Sequence, residues 1–315
     1  PDITRHSQQK EYINMLDNNT INTNNFSAMA QQMGMNADMT QSKQTAQLAR
    51  LKISHSPIMG EIEVKGKKTQ AAIVNGGVFR IDDLLNERVL YSSDVKIRPY
   101  VQRFMYKKFV KPEGGKGFYV KTVMSDNLNV DLKDNMGGFN CGKPTGYVKD
   151  YASLPDKTKA LLKSIKRVRV LIGTLSASNI VDADGNDAME IADLPFIWEI
   201  DNRDAFKVMG DAISKIGSMK HLTLQHEISL DSEERKLPSG NTYYIPIATV
   251  NKDTIEIVDA DQDHFSDFMQ WIENYNVYIF NAWKDKAGNT EDVISKEDAK
   301  VVEEFVKVTD DEIPF

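Results

Sequence analysis

A mainly β fold with helical insertions is what this sequence predicts, and three observations predict it. Short apolar–polar alternations recur along the middle of the 315-residue chain, the period of side chains on a half-buried strand. Turn signals separate them: Gly66, Gly76–Gly77, PEGGKG at 112–117 and DADGND at 182–187. Within the body, helices are read mainly in two stretches after residue 200, although Pro99 followed by YVQRFMYKKF could also open one. Many strands and few helices make a barrel or sandwich with helical insertions the expected architecture.

The elements follow in order. Residues 1–48 are rich in Asn, Gln and Met and read as a polar arm, partly helical at Ser27–Gln47 and otherwise weakly ordered. From 49 to 284 runs the β-rich body. EIEVKGKKTQAAIVNGGVFRI, 61–81, reads as strands joined by tight turns, and VKIRPYVQRFMYKKFVK with GFYVKTVM as a long hairpin around PEGGKG. RVRVLIGTLSASNIV and LPFIWEI flank DADGND as a second hairpin. DAFKVMGDAISKIG is expected to be a helix with Phe206, Met209, Ile213 and Ile216 on one face. TYYIPIATV and TIEIV follow as strands, and DHFSDFMQWIENYN as a helix. An acidic tail occupies 285–315.

Composition bounds the function. With 41% hydrophobic and 27% charged residues, the chain is large enough to bury a proper core. No run of about eighteen apolar residues predicts a membrane-spanning helix, and the first residues lack a secretory pattern. Cys141 is the one cysteine, which excludes an internal disulfide and a multi-cysteine zinc site. An intracellular, cytoplasmic setting is expected. The formal net charge is −7, but from Asp285 onward ten acidic residues face four lysines. The body is therefore near neutral with local basic tracks, an asymmetry that points to a nucleic-acid or protein partner.

The strongest track lies between Ile97 and Phe109. Read as one extended strand, it carries Arg98, Tyr100, Gln102, Phe104, Tyr106 and Lys108 on one face and Ile97, Val101, Met105 and Phe109 on the other, with Arg103 and Lys107 interleaved. Flat rings stack on unpaired bases while cations at the same pitch meet phosphates. The expected nucleic-acid contacts are Lys96, Arg98, Tyr100, Arg103, Phe104, Tyr106, Lys107, Lys108, Lys111 and Lys116. Lys157, Lys159, Lys163, Lys166, Arg167 and Arg169 make a second basic track.

Catalytic motifs are incomplete. GGFNCGKPT, 137–145, has P-loop spacing but places Pro144 where a Ser or Thr must hold magnesium, so it reads as a glycine-rich turn. Glu61, Glu63 and Lys65 contain the Glu-x-Lys of metal-dependent nucleases without a preceding partner carboxylate. DADGND reads as a turn, and Asp259, Asp261 and Asp263 as helix N-terminal acids. His221 and His226 do not align on a helical face and form no zinc set. No cofactor or metal is expected. A nuclease and a phage structural or assembly protein stand as alternatives to strand binding.

The end of the chain, TDDEIPF, resembles the acidic tip of bacterial single-stranded DNA-binding proteins, which end in Asp-Asp-Asp-Ile-Pro-Phe. Asp310, Asp311, Ile313, Pro314 and Phe315 match, and Glu312 keeps the charge. The resemblance implies a tip that recruits replication, recombination and repair enzymes, the terminal aromatic entering an apolar pocket. The plan of polar arm, basic-aromatic body and acidic tail resembles phage single-strand binding proteins. It implies an OB-fold-like barrel core, an arm that promotes self-association on DNA, a tail that competes with DNA, and a non-enzymatic role in a bacterial or phage-infected cell.

Overall fold

The computed structural model describes residues 47–64, 66–112, 114–145 and 151–287. Most of the expected arm and nearly all of the expected tail, including the tip at 310–315, lie outside the described residues. Within them the chain is mainly β. Its strands are β1 (Ala49–Ile53), β2 (Ile58–Val64), β3 (Lys67–Val74), β4 (Phe79–Asp83), β5 (Arg88–Val110), β6 (Phe118–Lys121), β7 (Ile165–Asp182), β8 (Asp187–Ala188), β9 (Ile191–Ile200), β10 (Ile228–Lys236) and β11 (Thr242–Val250). The helices are α1 (Asp156–Ser164), α2 (Arg203–Ser218) and α3 (Asp259–Lys286).

Nine strands form one mixed sheet in the order β11-β10-β5-β4-β1-β9-β7-β8, with β6 on β5, while β2 and β3 form a separate ribbon. A further pairing of β5 with β7 closes a ring of hydrogen bonds through β1, β4, β5, β7 and β9. Its one parallel junction is β1 with β9. The 23-residue β5 makes closure possible. One edge pairs in turn with β4, β10 and β6, and the other runs along β7. A bulge at Tyr100 interrupts that second pairing and turns the strand. Gly173 lies opposite Pro99 there, and a Cβ on it would collide with the Arg98 carbonyl oxygen.

Two cores lie on opposite faces of this sheet. Leu51, Ile81, Ile97, Leu171 and Phe196 pack with Met209 and Ile216 of α2. Val101, Met105, Val168, Val170 and Ile172 pack against Phe268 and Ile272 of α3. A third, smaller cluster joins Tyr106, Val120, Leu132, Cys141 and Ile165. Asn202 caps α2, its side chain accepting from the amides of Asp204 (2.9 Å) and Ala205 (3.1 Å). Asp261 caps α3 by accepting from the Val258 amide at 2.9 Å.

Both expected hairpins and both expected body helices form. One strand reading changes, and one strand carried no reading. TIEIV, 254–258, is not a strand: Ile255 donates to the Gln225 carbonyl, and the segment leads into α3. ISLDSEERK, 228–236, forms β10, its buried Ile228 and Leu230 paired with both β5 and β11 and its charged, exposed end with β11 alone. Helix α3 continues to Lys286, past the expected start of the tail at 285.

Candidate nucleic-acid interface

A cleft crosses the ring where β1, β6, the start of β7 and the end of β9 meet α1, α2 and α3. Its first chamber, about 650 Å³, is lined by Arg50, Lys52, Lys107, Lys121, Tyr119, Tyr244, Trp271 and Tyr275. The second, about 880 Å³, is lined by Lys143, Lys163, Lys166, Arg167, Arg203, Phe206 and Tyr243. His55, Asp201 and Asn202 line both, so the chambers adjoin. The carboxylates on the walls are Glu199, Asp201 and Asp204, against nine Lys and Arg side chains. Low-dielectric walls lined mainly by one sign of charge focus the field on a passing polyanion.

The cations divide by partner. Lys121 Nζ donates to both Glu199 oxygens at 2.7 and 3.0 Å. Lys107 Nζ lies 2.9 Å from Asp201 and 3.5 Å from Glu199. Burial disfavours its ammonium, yet the two carboxylates outweigh burial and hold its pKa above the ordinary lysine value. In the second chamber the balance reverses. Burial first, and then the nearby Arg167 guanidinium, push the Lys143 pKa down, while its ammonium donates to the Pro144 carbonyl at 3.2 Å.

The rings are fixed from behind. Trp271 and Tyr275 stack at 5.9 Å and 8° between planes, and the Tyr275 hydroxyl donates to the Thr122 carbonyl at 3.0 Å. Tyr119 is half exposed beside Phe109, with ring centroids 5.1 Å apart, and Lys107 Nζ lies 5.2 Å over its ring. Tyr244 packs on the Gly76–Gly77 turn. Gly77 has φ +87°, and a Cβ there would meet the tyrosine ring at 2.7 Å, so only glycine fits. The Tyr244 amide donates to His55 Nδ1 at 3.1 Å. Burial depresses the His55 pKa below its ordinary 6.5, partly opposed by Asp201, so at neutral pH that nitrogen is an acceptor.

The expected stacking face on β5 is corrected. Of its ten expected contacts, Lys107 alone lines this cleft. Arg98 makes a two-pronged pair with Asp261 (2.7 and 3.0 Å) and donates to the Leu224 carbonyl. Tyr100 is buried, its hydroxyl donating to Asp261 and its ring edge-on to Phe268 at 5.4 Å. Tyr106 is buried in the third cluster. Phe104 is half-buried between Phe206 and the Arg169 guanidinium, 5.1 Å from its centroid. Arg103 donates to the Gln102 carbonyl at 2.9 Å. Lys108 is half-buried, its pKa lowered by burial. Lys96, Lys111 and Lys116 are exposed and line neither chamber. The physical reason is that both faces of β5 are covered from Ile97 to Lys108, where no residue is exposed, so alternation does not separate core from solvent.

The second basic track contributes more than the first: Lys163, Lys166 and Arg167 face the cleft. Arg50, Lys52, Arg203, Tyr119, Trp271 and Tyr275 carried no sequence signal, because isolated residues on four elements, β1, β6, α2 and α3, make no pattern. The P-loop-like segment is self-filled. The Asp134 carboxylate accepts from the amides of Met136 (2.9 Å), Gly138 (3.0 Å) and Cys141 (3.2 Å), where a phosphate would sit. Glu61 pairs with Lys68 across the β2–β3 ribbon at 3.2 Å, and Lys65 lies outside the described residues. Among the described residues no group of three or more His, Cys, Asp or Glu side chains is placed to hold a metal, and no helix is long and apolar enough to cross a membrane. Comparison of this chain with family models, with curated proteins and with solved structures finds no match.

Proposed function

We propose that this protein binds single-stranded nucleic acid, DNA in the first instance, along the two-chambered cleft, without reading sequence and without chemistry. The observation that carries this reading is the convergence of Lys163, Lys166, Arg167, Arg203 and Arg50 with Tyr119, Trp271 and Tyr244 on one continuous depression. Cations at the walls neutralise phosphates, and ring faces accept bases of any identity. The five-strand ring supports an OB-type reading by strand number. Its strands follow chain order around the ring, whereas the OB-fold is a Greek key.

The acidic segment at 310–315 supports a second part of the proposal. By charge it competes with the strand for the cleft, and by its resemblance to bacterial tips it docks replication or recombination enzymes. Removing residues 309–315 is expected to tighten strand binding; weaker binding overturns that role.

The primary test is titration of a fluorescent oligonucleotide over a salt series, with and without magnesium. Saturable binding without cleavage is expected, log affinity falling with log salt at a slope of about −0.7 per phosphate engaged. Absence of binding at low salt, or magnesium-dependent cleavage, overturns the proposal.

A further inference from the structure

We infer that Glu199 and Asp201 form a charge lock at the joint of the cleft, holding Lys107 and Lys121 away from phosphates and dividing the bound strand between two chambers. The inference rests on the cleft being the strand-binding surface. Glu199 near the end of β9 and Asp201 just past it both reach Lys107. In contact with them are Lys107 of β5 and Lys121 of β6, paired in register. All four side chains meet in one network of contacts between 2.7 and 3.5 Å.

The pairing is shielded rather than superficial. The side chains of Lys107, Lys121 and Glu199 are 13%, 26% and 28% exposed, which weakens screening by salt. Asp201 lines both chambers, so a phosphate crossing the joint meets a carboxylate whose lysine is already satisfied. A strand therefore places phosphates on the outlying cations of either chamber and lays a base or sugar across the joint, beside Tyr119. The lock lowers affinity and lets the strand shift along the cleft without releasing every contact.

The test compares wild type with Glu199→Gln and Glu199→Gln/Lys121→Met in the same oligonucleotide salt series, with thermal melting to confirm folding. Glu199→Gln is expected to release Lys121, steepening the slope by about 0.7 and raising affinity at 0.1 M salt about fivefold. The double variant is expected to lose that gain. A folded Glu199→Gln protein with unchanged or weaker binding, or a gain that survives Lys121→Met, overturns the lock while leaving strand binding intact. Wild type that binds no oligonucleotide overturns both. Should Glu199→Gln not fold, Asp201→Asn carries the same test through Lys107, its carboxylate being 45% exposed.

Discussion

Two regions place arginine beside aromatic rings and use them in opposite ways. On β5, Arg98 and Tyr100 converge on Asp261 at the start of α3, and side-chain exposure falls to 14% for Arg98 and 5% for Asp261. At the start of β7, Arg167 lies 5.6 Å from the Phe206 centroid and lines the open second chamber beside Lys163 and Lys166. The first region holds a helix to a sheet; the second presents charge to the cleft. Residue type is shared; what separates Arg98 from Arg167 is burial together with the Asp261 carboxylate within reach.

The largest expected effect breaks the structural side of that contrast. Asp261→Asn leaves the shielded Arg98 without its counter-charge, and removing one partner of such a pair costs about 3–5 kcal/mol, measurable by urea unfolding. Burial opposes ionisation of Asp261, but the Tyr100 hydroxyl, the Val258 amide and Arg98 together hold its pKa below 3.8. Its contribution is therefore complete above pH 3.8 and is lost as pH falls through the depressed value. The variant should lack that acid limb.

Next comes the ligand-facing side. Replacing Lys163, Lys166 and Arg167 together by Ala should reduce the salt slope by about 2 and weaken oligonucleotide binding at 0.1 M salt about a hundredfold. Unfolding free energy should move by only about 0.5 kcal/mol per site. A large loss of stability with unchanged affinity would make these cations structural, like Arg98. Tyr119→Ala should cost about 1–3 kcal/mol of binding with the same salt slope, because a ring contributes stacking and no charge. The smallest effect concerns His55. Its folded pKa lies below 6.5, so the unfolded chain takes up the proton first and stability falls as pH drops below 6.5. Melting temperature followed from pH 8 to 5 should show this decline in wild type and a shallower one in His55→Gln.

What was readable in advance follows the range of the forces involved. Turns were legible because their chemistry is local: Gly66, Gly77 and Gly185 all adopt positive φ, and each ends a strand that alternation had marked. Helix α2 was legible because Met209 and Ile216 repeat at its period. β10 was not, since its register with β11 and β5 rather than its own composition makes it a strand. The stacking face failed because neighbouring elements cover both faces of β5 from Ile97 to Lys108, which no residue in the run announces. Lys163, Lys166 and Arg167 were visible as a basic track, but not as the wall of a cleft whose other residues include Arg50, Lys121 and Trp271.

By itself the sequence determined the strand-rich class, the main turns, the concentration of acid in the tail and the supply of cations and rings in the body. Those properties depend on composition and on neighbours a few residues apart. The tertiary structure alone decided which cations meet a carboxylate and which face the cleft. Coulomb and desolvation energies depend on through-space distance and burial, and the contacts of Arg98 with Asp261 and Lys121 with Glu199 join residues far apart in the chain.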